Sequence, residues 1–210
     1  MAAVKPVYFG AFLVTSQVFY RTAHCFALVN LKPLLPGHVL VCPNRVVPRL
    51  KDLSTEEVTD LFLTVQKIGK AVERIYKADA LNIAMQDGAA AGQSVPHVHT
   101  HIIPRQMQDL EKEDQIYTML ESDDGDLLRN YLEARHPSTL EGMKAIAGHH
   151  GPAAVIGDAD SKAVSGGGGG RPKFPTVNMG ERKARSEKVM KEEAEWLAKC
   201  LKEQEEEGLC

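Results

Sequence analysis

Five stretches of the chain combine short apolar runs with two-residue alternation, a pattern that is typical of β-strands, and turn residues separate them. These stretches are residues 7–20, 24–30, 38–43, 80–86 and 97–103. The first one contains a glycine and a Thr-Ser pair, so it predicts a short hairpin. Together they predict an antiparallel sheet of about five strands.

A second pattern, with apolar residues three and four positions apart, predicts one long helix from Ser54 to Ala78. Ser54 and Glu57 have the spacing of a capping box at its start. The apolar stripe comprises Val58, Leu61, Phe62, Val65, Ile68, Val72 and Ile75. A last helix is expected to open at Arg185-Ser186, and its stripe comprises Met190, Ala194, Leu197 and Leu201. The expected fold class is α+β, an antiparallel sheet with one long packed helix and a C-terminal helix.

Composition divides the chain into three parts. Residues 1–133 contain all the predicted strands and are expected to form the main domain. Residues 134–178 are rich in glycine and include the run from Gly166 to Gly170, so we expect a disordered insert that cannot bury enough apolar surface to fold. Residues 179–210 are expected to carry the C-terminal helix and to pack back on the main domain. Before the insert, residues 111–133 are charged and predicted to be partly helical, with Ile116, Met119 and Leu120 buried.

Charge and cysteine content narrow the function classes. The 210 residues carry a formal net charge of −3, which argues against non-specific binding to nucleic acid or to an anionic membrane. No apolar run approaches the length of a membrane span. The four cysteines are scattered without a Cys-x-x-Cys spacing, which favours free thiols in a reducing compartment. We expect a cytoplasmic protein, with the nucleus as an additional location.

The most informative stretch carries three histidines at alternate positions, His97, His99 and His101. On a strand these side chains share one face, with neighbouring rings on the order of 6–7 Å apart. One interpretation is a solvated strand face, and a second is a metal site. The metal interpretation is weakened because the outer pair would lie roughly 13 Å apart and no nearby carboxylate completes a ligand set.

The third interpretation is nucleophilic catalysis on phosphorus. A neutral imidazole has one free lone pair, and a backbone carbonyl that accepts a proton from the other ring nitrogen would fix the tautomer. The central His99 would then attack, while His97 and His101 offer hydrogen bonds to a phosphate and to the leaving group. The small-residue loop 89–94 precedes this row, and its backbone amides could approach a phosphate closely.

The row His97-Val98-His99-Thr100-His101-Ile102-Ile103 resembles the signature of the histidine triad family. The flanking segments 26–33, 36–43, 85–88, 91–95 and 103–105 resemble its fragile histidine triad branch, the dinucleoside triphosphate hydrolases. The nucleoside phosphoramidase branch usually has glycines where this chain has Pro104-Arg105. The resemblance covers roughly residues 7–133 and resumes near 171–200.

This resemblance implies hydrolysis of diadenosine triphosphate and related dinucleoside polyphosphates through a covalent nucleotidyl-histidine at His99. It implies a homodimer, a substrate that carries Mg²⁺ or Mn²⁺, and no metal held by the protein. The substrate-binding residues it implies are Phe12, Asn30, Gln86, Gly92, Gln93, Ser94, Val95, His101 and Tyr117. Taken alone, Asn30 could be a turn residue and Tyr117 a surface aromatic. His38 is expected to be a structural histidine or one that supports a site residue from behind, not a catalytic one. The alternatives are a nucleoside phosphoramidase or adenylyl-sulfate hydrolase, or a nucleotide-dependent signalling module with slow turnover.

Overall fold

The structure, a computed structural model, describes residues 5–135 and 184–209. A small hairpin opens it, formed by β1 (Tyr8–Phe9) and β2 (Phe12–Leu13). A five-stranded sheet follows, and every pair of neighbouring strands in it is antiparallel. Its strands are β3 (Val18–Arg21), β4 (Cys25–Val29), β5 (Val39–Pro43), β6 (Ala80–Ala84) and β7 (Thr100–Arg105). The predicted α+β class and the number of strands are confirmed.

The strands lie in the order β3-β4-β5-β7-β6, so β7 is inserted between β5 and β6. His101 on β7 stands opposite Leu40 of β5 on one side and Ala84 of β6 on the other. Every residue of β4 and β5 is buried, so both faces of the sheet are covered there. The end of the histidine row therefore lies on a strand that is paired along both edges.

The long helix is α1, from Thr55 to Tyr76, and it begins with the predicted capping box. The Ser54 hydroxyl accepts a hydrogen bond from the Glu57 backbone N–H, and the Glu57 carboxylate accepts one from the Ser54 backbone N–H. Most of the predicted apolar stripe packs against the sheet. Phe62 is an exception, because its side chain remains 49% exposed on the face that no other described element covers.

Three further helices complete the described residues. They are α2 (Gln115–Glu121), α3 (Leu127–Arg135) and α4 (Glu187–Glu206). Ser186 caps α4, and the four predicted residues of its stripe are all buried against β3, β4 and α1. Within the described residues no helix is long and apolar enough to cross a membrane.

The expected boundary between residues 133 and 134 falls inside α3, because that helix continues to Arg135. Residues 134 and 135 thus belong to the same helix as the buried Tyr131. The remainder of the 134–178 insert and residues 179–183 lie outside the described residues. The prediction of a disordered insert therefore stays a prediction.

Candidate active site

The histidine row enters the sheet later than the alternation predicts. Strand β7 begins at Thr100, so His97 and His99 precede it. The cause is a hydrogen bond from the Val98 backbone N–H to the carbonyl of Val47, which ties this segment to the loop after β5. The rings nevertheless stay together, with the centroids of His99 and His101 5.1 Å apart. This separation is shorter than the spacing expected along a regular strand.

His99 is buried, and its tautomer is fixed by the backbone. Its Nδ1 lies 2.7 Å from the carbonyl oxygen of His97. A carbonyl can only accept, so Nδ1 carries the proton and Nε2 keeps a free lone pair. Burial lowers the pKa of His99 below its ordinary value, although the bond to the His97 carbonyl opposes this shift. His99 is therefore a neutral imidazole with one nucleophilic nitrogen.

His38 determines which ring nitrogen of His101 carries the proton. The backbone N–H of Leu34 donates to Nδ1 of His38 at 3.1 Å, so the proton of His38 lies on Nε2. That Nε2 donates to Nδ1 of His101 at 2.9 Å, which leaves the proton of His101 on its Nε2. Within the described residues this buried Nε2 has no hydrogen-bond partner. Burial, with the neighbouring His99 and His38, lowers the pKa of His101 well below its ordinary value.

His97 has both ring nitrogens committed to the protein backbone. Its Nδ1 accepts from the backbone N–H of Gly10 at 3.0 Å, and its Nε2 donates to the carbonyl of Pro43 at 2.9 Å. The ring stacks on Phe9, with centroids 5.6 Å apart. Burial lowers the pKa of His97 to about 4. This histidine joins the β1–β2 hairpin, the end of β5 and the segment that carries His99.

Asn30, at the end of β4, lies beside the hydrogen-bonded pair of His38 and His101. Its amide nitrogen is 3.4 and 3.3 Å from Nδ1 and Nε2 of His38, and its amide oxygen accepts from the backbone N–H of Lys32 at 3.1 Å. The Asn30 side chain is fully buried. The structure thus brings together the two polar residues that the sequence places at opposite ends of the β4–β5 connection.

The loop before the histidines is held by its own side chains. Gly92 has a φ of +86°, which strains any residue with a side chain, and a Cβ there would also displace the Gln86 amide, whose Nε2 would lie 2.6 Å away. The Gln93 amide accepts from Gly88 N–H at 3.0 Å and donates to the carbonyl of Pro48 at 2.9 Å. These contacts fix the path of the loop that leads into His97.

The remaining predicted residues lie in different surroundings. Ser94 accepts a hydrogen bond from the backbone N–H of Leu128 at 3.3 Å, and Val95 is buried against the β1–β2 hairpin. Phe12 is buried and stacks on Tyr131, with centroids 4.7 Å apart. Tyr117 is 51% exposed, and its hydroxyl accepts from the side chain of Asn82 at 3.3 Å.

Two aromatic residues make ring contacts at the site that the sequence did not predict. Phe9 contacts the His99 ring edge-on, with centroids 5.3 Å apart. Tyr131 contacts both Phe9 and Phe12. The apolar spacing of Leu127, Leu128 and Tyr131 could have indicated a buried helical turn, but nothing in that spacing shows which element it meets.

The tautomers also bear on the metal interpretation. The Nδ1 lone pairs of His97 and His101 are used by Gly10 and His38, so His99 alone retains an uncommitted ring lone pair within the row. A tetrahedral zinc ion needs three or four such donors. Among residues 5–135 and 184–209, no group of three or more His, Cys, Asp or Glu side chains is arranged to hold a metal ion.

Comparisons with known proteins agree with this geometry. The profile of the HIT domain matches residues 12–108. An asymmetrical bis(5′-nucleosyl)-tetraphosphatase of Schizosaccharomyces pombe is 43% identical over 202 residues, which cover 96% of this chain and 98% of the relative. A bis(5′-adenosyl)-triphosphatase of Saccharomyces cerevisiae is 43% identical over 204 residues, which cover 95% of this chain and 93% of the relative.

Among solved structures, the diadenosine triphosphate hydrolase of Plasmodium falciparum is similar with a TM-score of 0.50 and 31% identity. The match covers 63% of this chain and 88% of the other chain. The two enzyme relatives match this chain over nearly their whole length, and the histidine row has the geometry described above. The chain belongs to the histidine triad (HIT) family, in its fragile histidine triad branch.

Proposed function

We propose that this protein hydrolyses dinucleoside polyphosphates, with diadenosine triphosphate as the expected substrate, to AMP and ADP. One observation carries the proposal. A free lone pair on His99 Nε2 lies on the ring next to a buried, unpartnered N–H of His101. A nucleophile beside a hydrogen-bond donor is the arrangement that phosphoryl or nucleotidyl transfer needs. The two relatives that match this chain over nearly their whole length carry names that describe hydrolysis of dinucleoside polyphosphates.

In the proposed first step, His99 Nε2 attacks the phosphorus next to adenosine. A P–N bond forms, and the bond between that phosphorus and the bridging oxygen breaks, so its electron pair leaves with ADP. The imidazole of the adduct carries a positive charge, and the His97 carbonyl that accepts from Nδ1–H stabilises this charge. The N–H of His101 points its proton toward oxygens on which negative charge develops.

In the second step, water attacks the same phosphorus. The P–N bond breaks, its electron pair returns to His99, and AMP leaves with the oxygen of water while a proton is released. Asn30 and Gln86 are proposed to position the nucleotide. Gly92, Gln93, Ser94 and Val95 are proposed to border the phosphates, and Phe12 and Tyr117 to border the base or the entrance. Mg²⁺ or Mn²⁺ is proposed to arrive on the oxygens of the substrate.

The contacts of His97 suggest a different role from the one expected from the sequence. The row alone suggested that His97 hydrogen-bonds the transferred phosphoryl group. Because backbone groups occupy both of its ring nitrogens, we propose that His97 holds the carbonyl that orients His99. It would thus act through His99, as a positioning residue.

The test is a substrate panel in water enriched in ¹⁸O, with product analysis. Diadenosine triphosphate, diadenosine tetraphosphate, adenylyl sulfate and a nucleoside phosphoramidate separate the alternatives. We expect AMP and ADP from the triphosphate, with ¹⁸O in AMP alone. Label in ADP would place the attack on another phosphorus, while tight binding with slow turnover throughout would favour the signalling module.

Replacing the nucleophile gives the matching prediction. His99→Asn keeps the pocket but removes the lone pair, so turnover should fall by roughly three or more powers of ten while nucleotide binding persists. His24→Asn is the control, because His24 is an exposed histidine on the β3–β4 turn. Rapid turnover by His99→Asn would discard the assignment of His99.

We also propose a homodimer that uses the open side of α1 and the edge strand β6. Strand β6 has a neighbour on one side only. Leu63 on α1 and Ile83 on β6 are 61% and 52% exposed, and Phe62, which precedes Leu63 in the chain, is half exposed. Large apolar side chains that remain exposed on an unpaired sheet edge favour pairing with another chain.

A further inference from the structure

Arg185 reaches across the fold to the active-site end of β4. Its backbone N–H donates to the carbonyl of Leu31 at 3.0 Å, and its guanidinium donates to the carbonyl of Asn30. The same guanidinium forms an ion pair with Glu193 on α4. Both charged side chains are nearly buried, with 12% and 6% of their surfaces exposed. A single residue at the start of the C-terminal segment thus holds two consecutive carbonyls beside the site.

Glu193 extends this contact to the other end of the β4–β5 connection. Its second carboxylate oxygen accepts a hydrogen bond from the Tyr76 hydroxyl at 3.0 Å. The Tyr76 ring lies directly on Gly37, where a Cβ would approach the ring to 2.7 Å, and Gly37 has a φ of +82°. The next residue is His38, which donates to His101. The salt bridge of Arg185 and Glu193 therefore contacts the chain directly at Asn30, and it reaches Gly37, beside His38, through Tyr76.

These contacts close a ring. From Asn30 the path runs through Arg185, Glu193 and Tyr76 to Gly37, and it returns because the Asn30 amide lies against the His38 ring. Burying an ion pair costs desolvation free energy, and an apolar pair would join α4 to the sheet at least as well. Unlike an apolar pair, the planar guanidinium of Arg185 fixes the positions of the Asn30 carbonyl and the Glu193 carboxylate relative to each other.

We propose that Arg185, clamped by Glu193, is a positioning residue for the reaction. It sets the backbone at Asn30 and Leu31, and through it the orientation of the Asn30 amide and the contact of His38 with His101. The expected changes in kcat and KM rest on the proposed hydrolysis. The expected changes in the orientation of His38 and His101 do not depend on it. Arg185 acts through other residues and has no contact with the reacting atoms in this proposal.

The experiment compares Arg185→Met, Arg185→Lys and Glu193→Gln with two controls in the full chain. Leu197→Ala removes a buried side chain of α4 that packs in the apolar core, so it lowers stability without removing a contact to the β4–β5 connection. Lys188→Met removes an exposed charge from the same helix. Three quantities are measured for each: the melting temperature, kcat and KM for diadenosine triphosphate, and the ¹⁵N imidazole signals of the histidines.

For Arg185→Met we expect kcat to fall about tenfold and KM to rise severalfold, since small displacements of positioning groups produce losses of this size or larger. The ¹⁵N signals of His38 and His101 should move, while that of His97, which bonds Gly10 and Pro43, should stay. Arg185→Lys should restore part of kcat. Leu197→Ala should lower the melting temperature yet keep kcat and KM within about twofold at a temperature well below melting.

Unchanged kinetics and unchanged imidazole signals in Arg185→Met would overturn the proposal. The same losses in Leu197→Ala would also overturn it, because they would show that any loosening of α4 has this effect. If Arg185→Met does not fold, Glu193→Gln and Arg185→Lys decide by the same readouts. A wild-type protein that does not hydrolyse the substrate would refute the proposed function, and the imidazole signals would still decide on the positioning of His38 and His101.

Discussion

The proton on His101 is placed by a residue that lies 63 positions earlier in the chain. Leu34 N–H fixes the tautomer of His38, and His38 then fixes that of His101. No sequence pattern around His101 contains this information, because the partner is set by how β5 and β7 pair. His38 was expected to be structural or to support a site residue, and its bond to His101 Nδ1 leaves the proton of His101 on Nε2 as a hydrogen-bond donor.

Replacing His38 should therefore impair catalysis more than folding. In His38→Ala the Nδ1 of His101 loses its donor, so the proton can move to Nδ1 and away from the reacting side. We expect kcat to fall by about 10²-fold, the lower end of the range for lost acid–base groups. His38→Asn keeps an amide donor at this position and should lose less. Equal activity of His38→Ala and wild type would contradict the tautomer assignment.

Burial of the neutral histidines also makes stability depend on pH. The pKa of His97 is about 4 in the folded protein, against 6.5 for an exposed histidine. Below pH 6.5 the unfolded chain binds a proton that the folded chain does not, so the free energy of unfolding falls as pH falls toward 4. His97 contributes about 1.4 kcal/mol for each pH unit in this window, and His99 and His101 act in the same direction.

Urea denaturation at pH 7, 6 and 5 measures this dependence. The His24→Asn protein is the control, since it lacks an exposed histidine and should show the same slope. Arg45 and the Ser54 backbone N–H lower the pKa of Glu57 to about 2. Its carboxylate therefore stabilises the fold above its ordinary pKa of 4.5 and loses this contribution as pH falls below 4.5, so it adds little to the slope between pH 7 and 5. Constant stability between pH 6.5 and 5 would contradict the buried, neutral triad.

The alternation predicted that the rings of the row lie together, and the structure places those of His99 and His101 in contact. The expected bond from the nucleophile to a backbone carbonyl is present as His99 Nδ1 to the His97 oxygen. The alternation could not show that the strand starts at Thr100, because the bond from Val98 to Val47 depends on a loop distant in sequence. The contacts of His97 with Gly10 and Pro43 were likewise hidden, since they join three segments that only the folded chain brings together.

Among the elements, α1 was the easiest to predict, because its start is encoded within four residues. The reciprocal bonds of Ser54 and Glu57 are local, and the structure confirms them. Glu57 has a second function that the local pattern does not show. Its carboxylate accepts two hydrogen bonds from Arg45, at 2.9 and 2.7 Å, which joins the helix start to the loop after β5.

Loss of the cap should destabilise the protein without changing the site. Ser54→Ala removes the acceptor for the Glu57 N–H, and we expect a loss of about 1 kcal/mol in the free energy of unfolding. Thr59→Ala is the control on the same helix, because that hydroxyl only bonds back to the Thr55 carbonyl at an exposed position. Denaturant unfolding measures both. A loss in Thr59→Ala equal to that in Ser54→Ala would rule out the cap as the cause.

Helical periodicity also explains why Phe62, a residue of the predicted α1 stripe, is half exposed. Phe62 follows Leu61 directly, so it lies about 100° around the helix from that buried residue. The apolar pattern shows the width of a stripe but not how much of it the sheet covers. In this fold the sheet covers Leu61 and leaves Phe62 half exposed.

For the molecule as a whole, the exposed apolar side chains on α1 and β6 predict that two copies of the chain associate, and this can be measured. A lysine at Ile83 would introduce a charge at the proposed interface, so Ile83→Lys should shift the protein from dimer to monomer in analytical ultracentrifugation. Val46→Lys is the control, since Val46 is 48% exposed on the loop after β5. A wild-type protein that sediments as a monomer at micromolar concentration would contradict the proposed dimer.

The sequence predicted how many strands the main sheet has, but it could not predict their order. Periodicity is a local property, and the place of β7 between β5 and β6 depends on which pairings bury the most apolar surface together. The packing of α4 was expected from its stripe of Met190, Ala194, Leu197 and Leu201, and their burial confirms it. Its link to Asn30 through Arg185 was not expected, because a single arginine before a helix has no pattern that distinguishes it.

The late position of β7 and Arg185 in the chain has a consequence for the order of folding. Strands β3, β4 and β5 are neighbours both in sequence and in space, so they close short loops at a small entropic cost. The bond between His38 and His101 spans 63 positions, and the bond from Arg185 to Asn30 spans 155. Contacts of such separation are expected to form after the local ones. We therefore expect a folding chain to pair β3, β4 and β5 before it forms the contacts that place the proton of His101 and hold the backbone at Asn30.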